Sequence, residues 1–242
     1  MSLATGRTSL ERTHTPLQRG LSPRRIASLL YPRYIKLFEV LNQNALLNAW
    51  IAEHGAAPHF PERLALYDHL IHAYLQGAPI DYLEFGVYRG ESILWWAAAN
   101  PHPDSRFFGF DSFEGLPEGW ALGMGGLERG ALSTDGEVPA TDDPRVRFVK
   151  GWYQETLPEF LQRFRPQARI VLHCDSDIYG STLYPLASLD RLLRPGSVVM
   201  FDEFNNHEEF RAFNDYVRAF NRRYRALGTA RSNYKNAAIE LL

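Results

Sequence analysis

A chain of 242 residues with 28 acidic and 26 basic side chains, net charge −2, presents no broad basic surface for polynucleotide or anionic lipid. With 45% apolar and 13% aromatic residues it can bury a full core, and one enzyme-sized α/β domain accommodates that length. The single cysteine, Cys174, cannot form an internal disulfide, and no signal-like or membrane-length apolar run is present. The expectation is therefore a cytoplasmic protein with neither nucleic acid nor membrane as partner.

Residues 1–23 are rich in Arg, Thr, Ser and Pro and poor in large apolar side chains, which predicts a flexible arm. From Arg24 to about His54 apolar residues such as Ile26, Ile35, Phe38, Leu46, Leu47 and Trp50 recur at helical spacing, broken near Pro32. A second helix runs from about Pro61 to Leu75 and ends at Gly77. Residues 24–77 thus read as a helical leader or cap, through which a homo-oligomer could form, and 78–242 as the main domain.

Strands near 80–85, 106–110, 145–149, 168–174 and 196–201 then alternate with helices near 90–99, 154–164, 179–193 and 206–224. A last pair of strands near 225–231 and 236–242 closes an antiparallel edge. This alternation predicts a seven-stranded, mostly parallel sheet with helices on both faces. The Gly-rich insertion 112–145, which carries Trp120, Met124 and the acidic stretch from Glu137 to Asp143, is too long for a plain connection and is expected to be a mobile lid over substrate.

Two constellations carry chemistry. An acidic, glycine-bearing turn, Glu84-Phe85-Gly86-Val87-Tyr88-Arg89-Gly90, leaves the first strand, and Asp111 closes the next. Gly86 and Gly90 let backbone approach a ligand, and a carboxylate at a strand's carboxyl end can take both hydroxyls of a ribose. No G-x-G-x-x-G run cradles phosphate, so a ribose without pyrophosphate points to S-adenosylmethionine, with a purely structural turn as the competing reading.

The second constellation is acidic. Asp175-Ser176-Asp177 follows one buried strand and Asp202-Glu203 another, so four carboxylates converge on one sheet edge. Like charges that close raise one another's pKa unless a cation sits among them, and an all-oxygen set suits Mg²⁺ or another hard divalent cation. The plainer alternative is that Asp175 and Asp202 cap the helices that follow. His173, inside a strand, reads as a core histidine, Cys174 as a small buried residue, and Trp95 and Trp96 as helix packing; His207, at a helix start, could face the site.

The segments Glu84–Gly90, Phe110-Asp-Ser-Phe-Glu-Gly-Leu-Pro117, Lys150-Gly-Trp-Tyr-Gln-Glu-Thr-Leu-Pro158, Asp175-Ser-Asp-Ile-Tyr-Gly-Ser-Thr182 and Pro195-Gly-Ser-Val-Val-Met-Phe-Asp-Glu-Phe204 resemble, in order, the motifs of the macrocin O-methyltransferase family. The resemblance covers about residues 60 to 240. It implies a class I methyltransferase Rossmann-like fold with an N-terminal helical extension. It also implies an enzyme that uses S-adenosylmethionine and a divalent cation to methylate hydroxyls of small-molecule natural products, on sugars or phenols. By that resemblance Glu84, Gly86 and Gly90 line the methionine end of the cofactor, and Phe85, Val87 and Ser92 belong to the same cofactor-binding set. Asp111 and Ser112 hold the ribose, Gly151 and Trp152 border the adenine, and Asp175 counts among both the cofactor-binding and the catalytic residues.

Asp175, Asp202 and Glu203 are the implied metal ligands, with Asp177 just outside them. Catechol methyltransferases, which are similar at these metal-binding tips, place a lysine base where this chain has Ile178. The base is therefore His207, a lid carboxylate, or no side chain at all. A metal-dependent glycosyltransferase using Asp175-Ser176-Asp177, and a non-catalytic cofactor-binding scaffold, stay open as alternatives. A buried Glu84 beside a diphosphate would be repulsive, which argues against the first of these.

Overall fold

The computed structural model describes residues 22–30, 34–122 and 125–242, with the side chains of residues 29, 30, 36, 120–122, 125 and 207 outside that description. The chain forms two compact units, residues 1–42 and 43–242. In the first, the described residues form helix α1 (Pro23–Leu30) and the opening turns of α2 (Ile35–His54). Residues 1–21 of the expected arm, and Pro32 at the expected break, lie outside the described residues. Ile26, Leu37, Phe38 and Leu41 are exposed.

The second unit is an α/β sheet. It contains, in order, β1 (His59–Phe60), α3 (Arg63–His69) closed by a π-turn at Leu70–Tyr74, β2 (Ile80–Phe85), α4 (Glu91–Ala99) and β3 (Arg106–Asp111). There follow the short strands β4 (Trp120–Leu122) and β5 (Gly125–Leu127), then β6 (Val146–Lys150), α5 (Tyr153–Arg163), β7 (Arg169–Cys174) and α6 (Tyr179–Leu189). The chain finishes with β8 (Val198–Phe201), α7 (His207–Ala219), β9 (Tyr224–Ala230) and β10 (Asn236–Leu241).

The main sheet has the order β1-β9-β10-β8-β7-β2-β3-β6, eight strands where the sequence predicts seven. The additional strand, β1, pairs parallel to β9 through His59 with Thr229 and Phe60 with Ala230. Two residues are too short to leave an alternation in sequence, yet they cover the outer edge of β9, which would otherwise offer unpaired N–H and C=O groups. Strands β2, β3, β6, β7 and β8 are parallel, and β10 runs antiparallel between β8 and β9, as the sequence pattern predicts.

Alternation along the central strands divides the core. Leu83 and Phe85 of β2, with Ile170, Leu172 and Cys174 of β7, pack on one face among Leu157, Leu186 and Phe213 of α5, α6 and α7. Tyr82 and Val171 point to the other face, among Leu66 and Tyr67 of α3 and Ile93 and Trp96 of α4. Cys174 and Trp96 are fully buried. Burying one such aromatic or aliphatic side chain is worth roughly 1.5–3 kcal/mol, so both layers hold the central strands firmly.

Chain order reverses at β2, which has β3 on one side and β7 on the other, so a crevice opens beyond its carboxyl end. The insertion 112–145 lies there and is not wholly irregular: β4 and β5 form an antiparallel hairpin. It is closed on itself by Leu116 N–H to Ala131 O and Gly136 N–H to Phe113 O. Met124, and the side chain of Trp120, lie outside the described residues.

Candidate active site

Register alone assembles the site. Phe85 pairs with Phe110 on β3 and with Cys174 on β7, and Cys174 pairs with Phe201 on β8. The next residue on each strand therefore falls in a row along one rim: Asp111, Gly86, Asp175, Asp202. Asp111, Gly86 and Asp175 of this row line a cleft of about 370 Å³, within the size range of small-ligand sites, and Asp202 lies outside that lining. Gly86, Val87, Ser92, Asp111 and Asp175 line it from the expected cofactor set; Asp177 and Glu203 line it from the expected metal side; Leu116, Leu127 and Leu132 of the insertion form an apolar wall.

The sequence assigns Gly86 to a close approach of ligand. Its φ is +94°, but a Cβ there would stand 1.8 Å from the Asp175 carbonyl oxygen, so the close approach is first between two strand tips. Asp175 N–H donating to Phe85 O at 2.9 Å draws them together. Gly90, at φ +81°, precedes α4 and lies beside Pro139 of the insertion, outside the lining of the cleft.

Asp111 ties the turn to the rim. Its Oδ2 accepts from the N–H groups of Val87 at 2.9 Å and Tyr88 at 2.8 Å, and its Oδ1 accepts from Phe113 N–H at 2.8 Å. Ser112 Oγ accepts from Glu114 N–H and serves the turn, and Gly151 N–H donates to Asp111 O beside Trp152 at the start of α5. Ser112, Gly151 and Trp152 all lie outside the cleft lining.

Glu84 and Phe85 do not reach the cleft surface. Glu84 is 1% exposed and lies beneath it, with Oε2 accepting from Tyr82 Oη–H at 2.5 Å and 3.2 Å from His173 Nδ1. His173 Nε2 is 3.3 Å from Tyr67 Oη, and Tyr67 in turn donates to Asp202 Oδ1 at 3.5 Å. A buried polar chain thus joins the base of the acidic glycine turn to Asp202. Glu84 Oε1 and, beside Asp202, Asn236 Oδ1 are buried without a hydrogen-bond partner in the protein.

Among the described residues, His173, Asp175 and Asp202 each offer one ligand atom within 4.8 Å of the others. Glu203 lines the same cleft but is not in that set; its Oε1 is 2.6 Å from Lys235 Nζ. His173, read from sequence as a core histidine, is fully buried and belongs to the cluster. The side chain of His207 lies outside the described residues.

Charge is crowded here. Burial, and then the charges of Asp202, Glu84 and Glu209, hold the Asp175 carboxyl well above the usual carboxylate range. Burial with Glu203 and Asp202 pushes Asp177 up to about 7, against the opposing pull of Lys235. Arg63 of α3 is a cation facing the group, 3.5 Å from Asp202 Oδ2 and 3.6 Å from Glu91 Oε2. Burial works against its charge, but Asp202, Tyr67 and Asp175 more than offset that and raise its pKa.

Sequence reasoning did not find Arg63, Lys235, Tyr67 or Glu209. Arg63, Tyr67 and Lys235 come from elements distant in the chain from the carboxylates, and an amphipathic helix start gives no sign that its polar residue is aimed inward. Glu209 alone left a trace, as the second acid in a helix's first turn.

A doubly wound sheet with this cleft at its reversal point, an acidic glycine turn and no phosphate loop defines a class I methyltransferase fold. Residues 83–204 match the family model described as "Methyltransferase domain", and the chain belongs to that family. The chain is 33% identical over 146 residues to the 8-demethyl-8-(2,3-dimethoxy-alpha-L-rhamnosyl)-tetracenomycin-C 4'-O-methyltransferase of Streptomyces olivaceus, covering 53% of this chain and 54% of that protein. It is 31% identical over 144 residues to the demethyldecarbamoylnovobiocin O-methyltransferase of Streptomyces niveus, covering 52% and 53% respectively. The chain thus spans about half the length of the curated relatives it matches. In structure it is similar to the O-methyltransferase NovP, with TM-score 0.55 and 22% identity over 74% of this chain and 78% of that one. It is also similar to the calicheamicin methyltransferase CalS11, with TM-score 0.52 and 22% identity over 99% of both. These two likenesses concern the fold.

Proposed function

We propose that this protein is an S-adenosylmethionine-dependent O-methyltransferase of the macrocin type, acting on a hydroxyl of a small-molecule natural product, most simply on a sugar of a glycosylated metabolite. The observation that carries the reading is the row Asp111, Gly86, Asp175, Asp202, which sets a nucleoside-sized cleft directly beside a carboxylate cluster. The two Streptomyces relatives, whose names specify O-methylation of a rhamnosyl-tetracenomycin and of demethyldecarbamoylnovobiocin, support the acceptor class.

Asp175 and Asp202 suit a hard divalent cation: their oxygens converge, burial and then the neighbouring carboxylates hold Asp175 against its own ionisation, and Asn236 Oδ1 lies orphaned beside Asp202. Both ring nitrogens of His173 already face hydroxyl groups, and Asp202 is shared with Tyr67, Asn236 and Arg63, so the Asp175 carboxylate is the least engaged donor of the three. Asp175, Asp202 and Glu203 would hold the ion, Glu203 on leaving Lys235. Bound there, a divalent cation lowers the pKa of a chelated hydroxyl.

The chain's own residues do the rest. Asp111 fixes the turn that receives the cofactor, the Asp175 rim orients the acceptor oxygen toward the methyl group, and the leucines of the insertion exclude water. As the acceptor C–O–CH₃ bond forms, the S–CH₃ bond breaks and its electron pair returns to sulfur, while the hydroxyl proton passes to solvent or to a base at the rim.

Calorimetry tests the cofactor reading. S-adenosylhomocysteine is expected to bind with micromolar or better affinity, and a uridine diphosphate sugar not to bind. The reverse result would contradict the proposal.

A further inference from the structure

We propose that Glu209 is a positioning residue that sets the spacing of the two carboxylate-bearing loops. It sits in the first turn of α7, is 0% exposed, and touches no part of the cleft surface. Its Oε2 accepts from Glu203 N–H at 2.9 Å and its Oε1 from Asp177 N–H at 3.3 Å. One carboxylate therefore spans the loop after β7 and the loop after β8.

That span begins where strand pairing stops. The last bond between the two tips is Asp202 N–H to Cys174 O at 3.1 Å. One residue further along β8, and two beyond Asp175, the loops would be free to diverge. Asp177 also adopts φ +64°, a left-handed conformation that a non-glycine residue keeps only when its surroundings impose it. Its amide is aimed at Glu209. The neighbouring Glu208 adds a second tie, accepting from Tyr179 N–H at 3.0 Å, and Asn206 caps the helix by accepting from Glu208 N–H. The first turn of α7 is thus built as a clamp across both loops.

A residue needed only for packing would be apolar at this position, as Phe210 and Phe213 are on the same helix. A buried carboxylate with an N–H donor at each oxygen has a different use: both of its oxygens must accept. Glutamine cannot replace it without turning an amide N–H₂ toward one of the two donors. Releasing either loop moves Asp177 or Glu203, and with them the cluster at Asp175 and Asp202. The effect on the ion rests on the reading given under Proposed function; the effect on the loops does not.

The test compares wild type with E209Q and E209A in three measurements: Mn²⁺ affinity by electron paramagnetic resonance, S-adenosylhomocysteine affinity by calorimetry, and amide hydrogen exchange over peptides spanning 175–179 and 202–206. Both variants are expected to unfold cooperatively, to keep S-adenosylhomocysteine affinity within about threefold, and to lose Mn²⁺ affinity by about 10–100-fold. Exchange in the two peptides is expected to accelerate while β2 and β3 stay protected. Unchanged Mn²⁺ affinity together with unchanged exchange would overturn the proposal. So would failure of both variants to fold, since a local clamp leaves the sheet core in place. If wild type binds no Mn²⁺, the metal reading fails, and the exchange measurement alone decides whether Glu209 holds the loops.

Discussion

Gly86→Ala is expected to destabilise the chain by about 3 kcal/mol or more, and to lower its melting temperature by roughly 10 °C in a calorimetric or circular dichroism melt. The added methyl would meet the Asp175 carbonyl oxygen at 1.8 Å and its carbon at 2.5 Å. Both are backbone atoms in the middle of the sheet, held by Asp175 N–H to Phe85 O, so neither can swing aside as a long side chain would. Relief requires parting the tips of β2 and β7, which is also the floor of the cleft. The residue's φ of +94° adds a conformational penalty that alanine bears and glycine does not. Gly180, an exposed position in the first turn of α6 with nothing within 4 Å of an added Cβ, is the control. There alanine is expected to be neutral or to stabilise by up to about 1 kcal/mol, through its better helix propensity. Equal melting temperatures for Gly86→Ala and wild type would show that the strand tips do not meet as described.

Asp175→Asn is expected to separate catalysis from folding. Methyl transfer should fall by on the order of a thousandfold if, as proposed, the charge at Asp175 orients acceptor and ion. S-adenosylhomocysteine affinity should change by no more than a few-fold, since Asp111 and the turn that it ties are untouched. Stability should hold or rise. The carboxyl at 175 is disfavoured as an anion first by burial and then by Asp202, Glu84 and Glu209, so a neutral amide of the same shape removes repulsion. An excess of chelator should reduce wild-type activity without lowering its melting temperature below that of the ion-free protein. Activity of Asp175→Asn within tenfold of wild type, measured by transfer of labelled methyl, would remove Asp175 from the mechanism.

Much of this site was readable in the chain because parallel strands put their next residues on one edge. Once β2, β3, β7 and β8 are recognised by their apolar runs, Asp111, Gly86, Asp175 and Asp202 must line up, and they do. What depends on geometry across elements was not readable. Glu84 is adjacent in sequence to the turn but faces the α3 and α4 side of the sheet, where Tyr82 and His173 enclose it. Glu203 follows Asp202 directly and lines the cleft, yet Lys235 from a remote loop claims its carboxylate. Two-residue β1 and the hairpin of β4 with β5 carry too few residues for period-two alternation to register. Arg63 and Glu209 look like ordinary residues at helix starts until the helices are packed.

The most direct test places the two halves of the cleft relative to each other. Protein saturated with S-adenosylmethionine labelled with ¹³C at the transferable methyl is titrated with Mn²⁺, and the methyl resonance is followed. Strong paramagnetic broadening in wild type, lost in the double variant Asp175→Asn/Asp202→Asn while the cofactor stays bound, is the expected result. A methyl signal that stays sharp with both cofactor and Mn²⁺ bound to the wild-type protein would contradict the account.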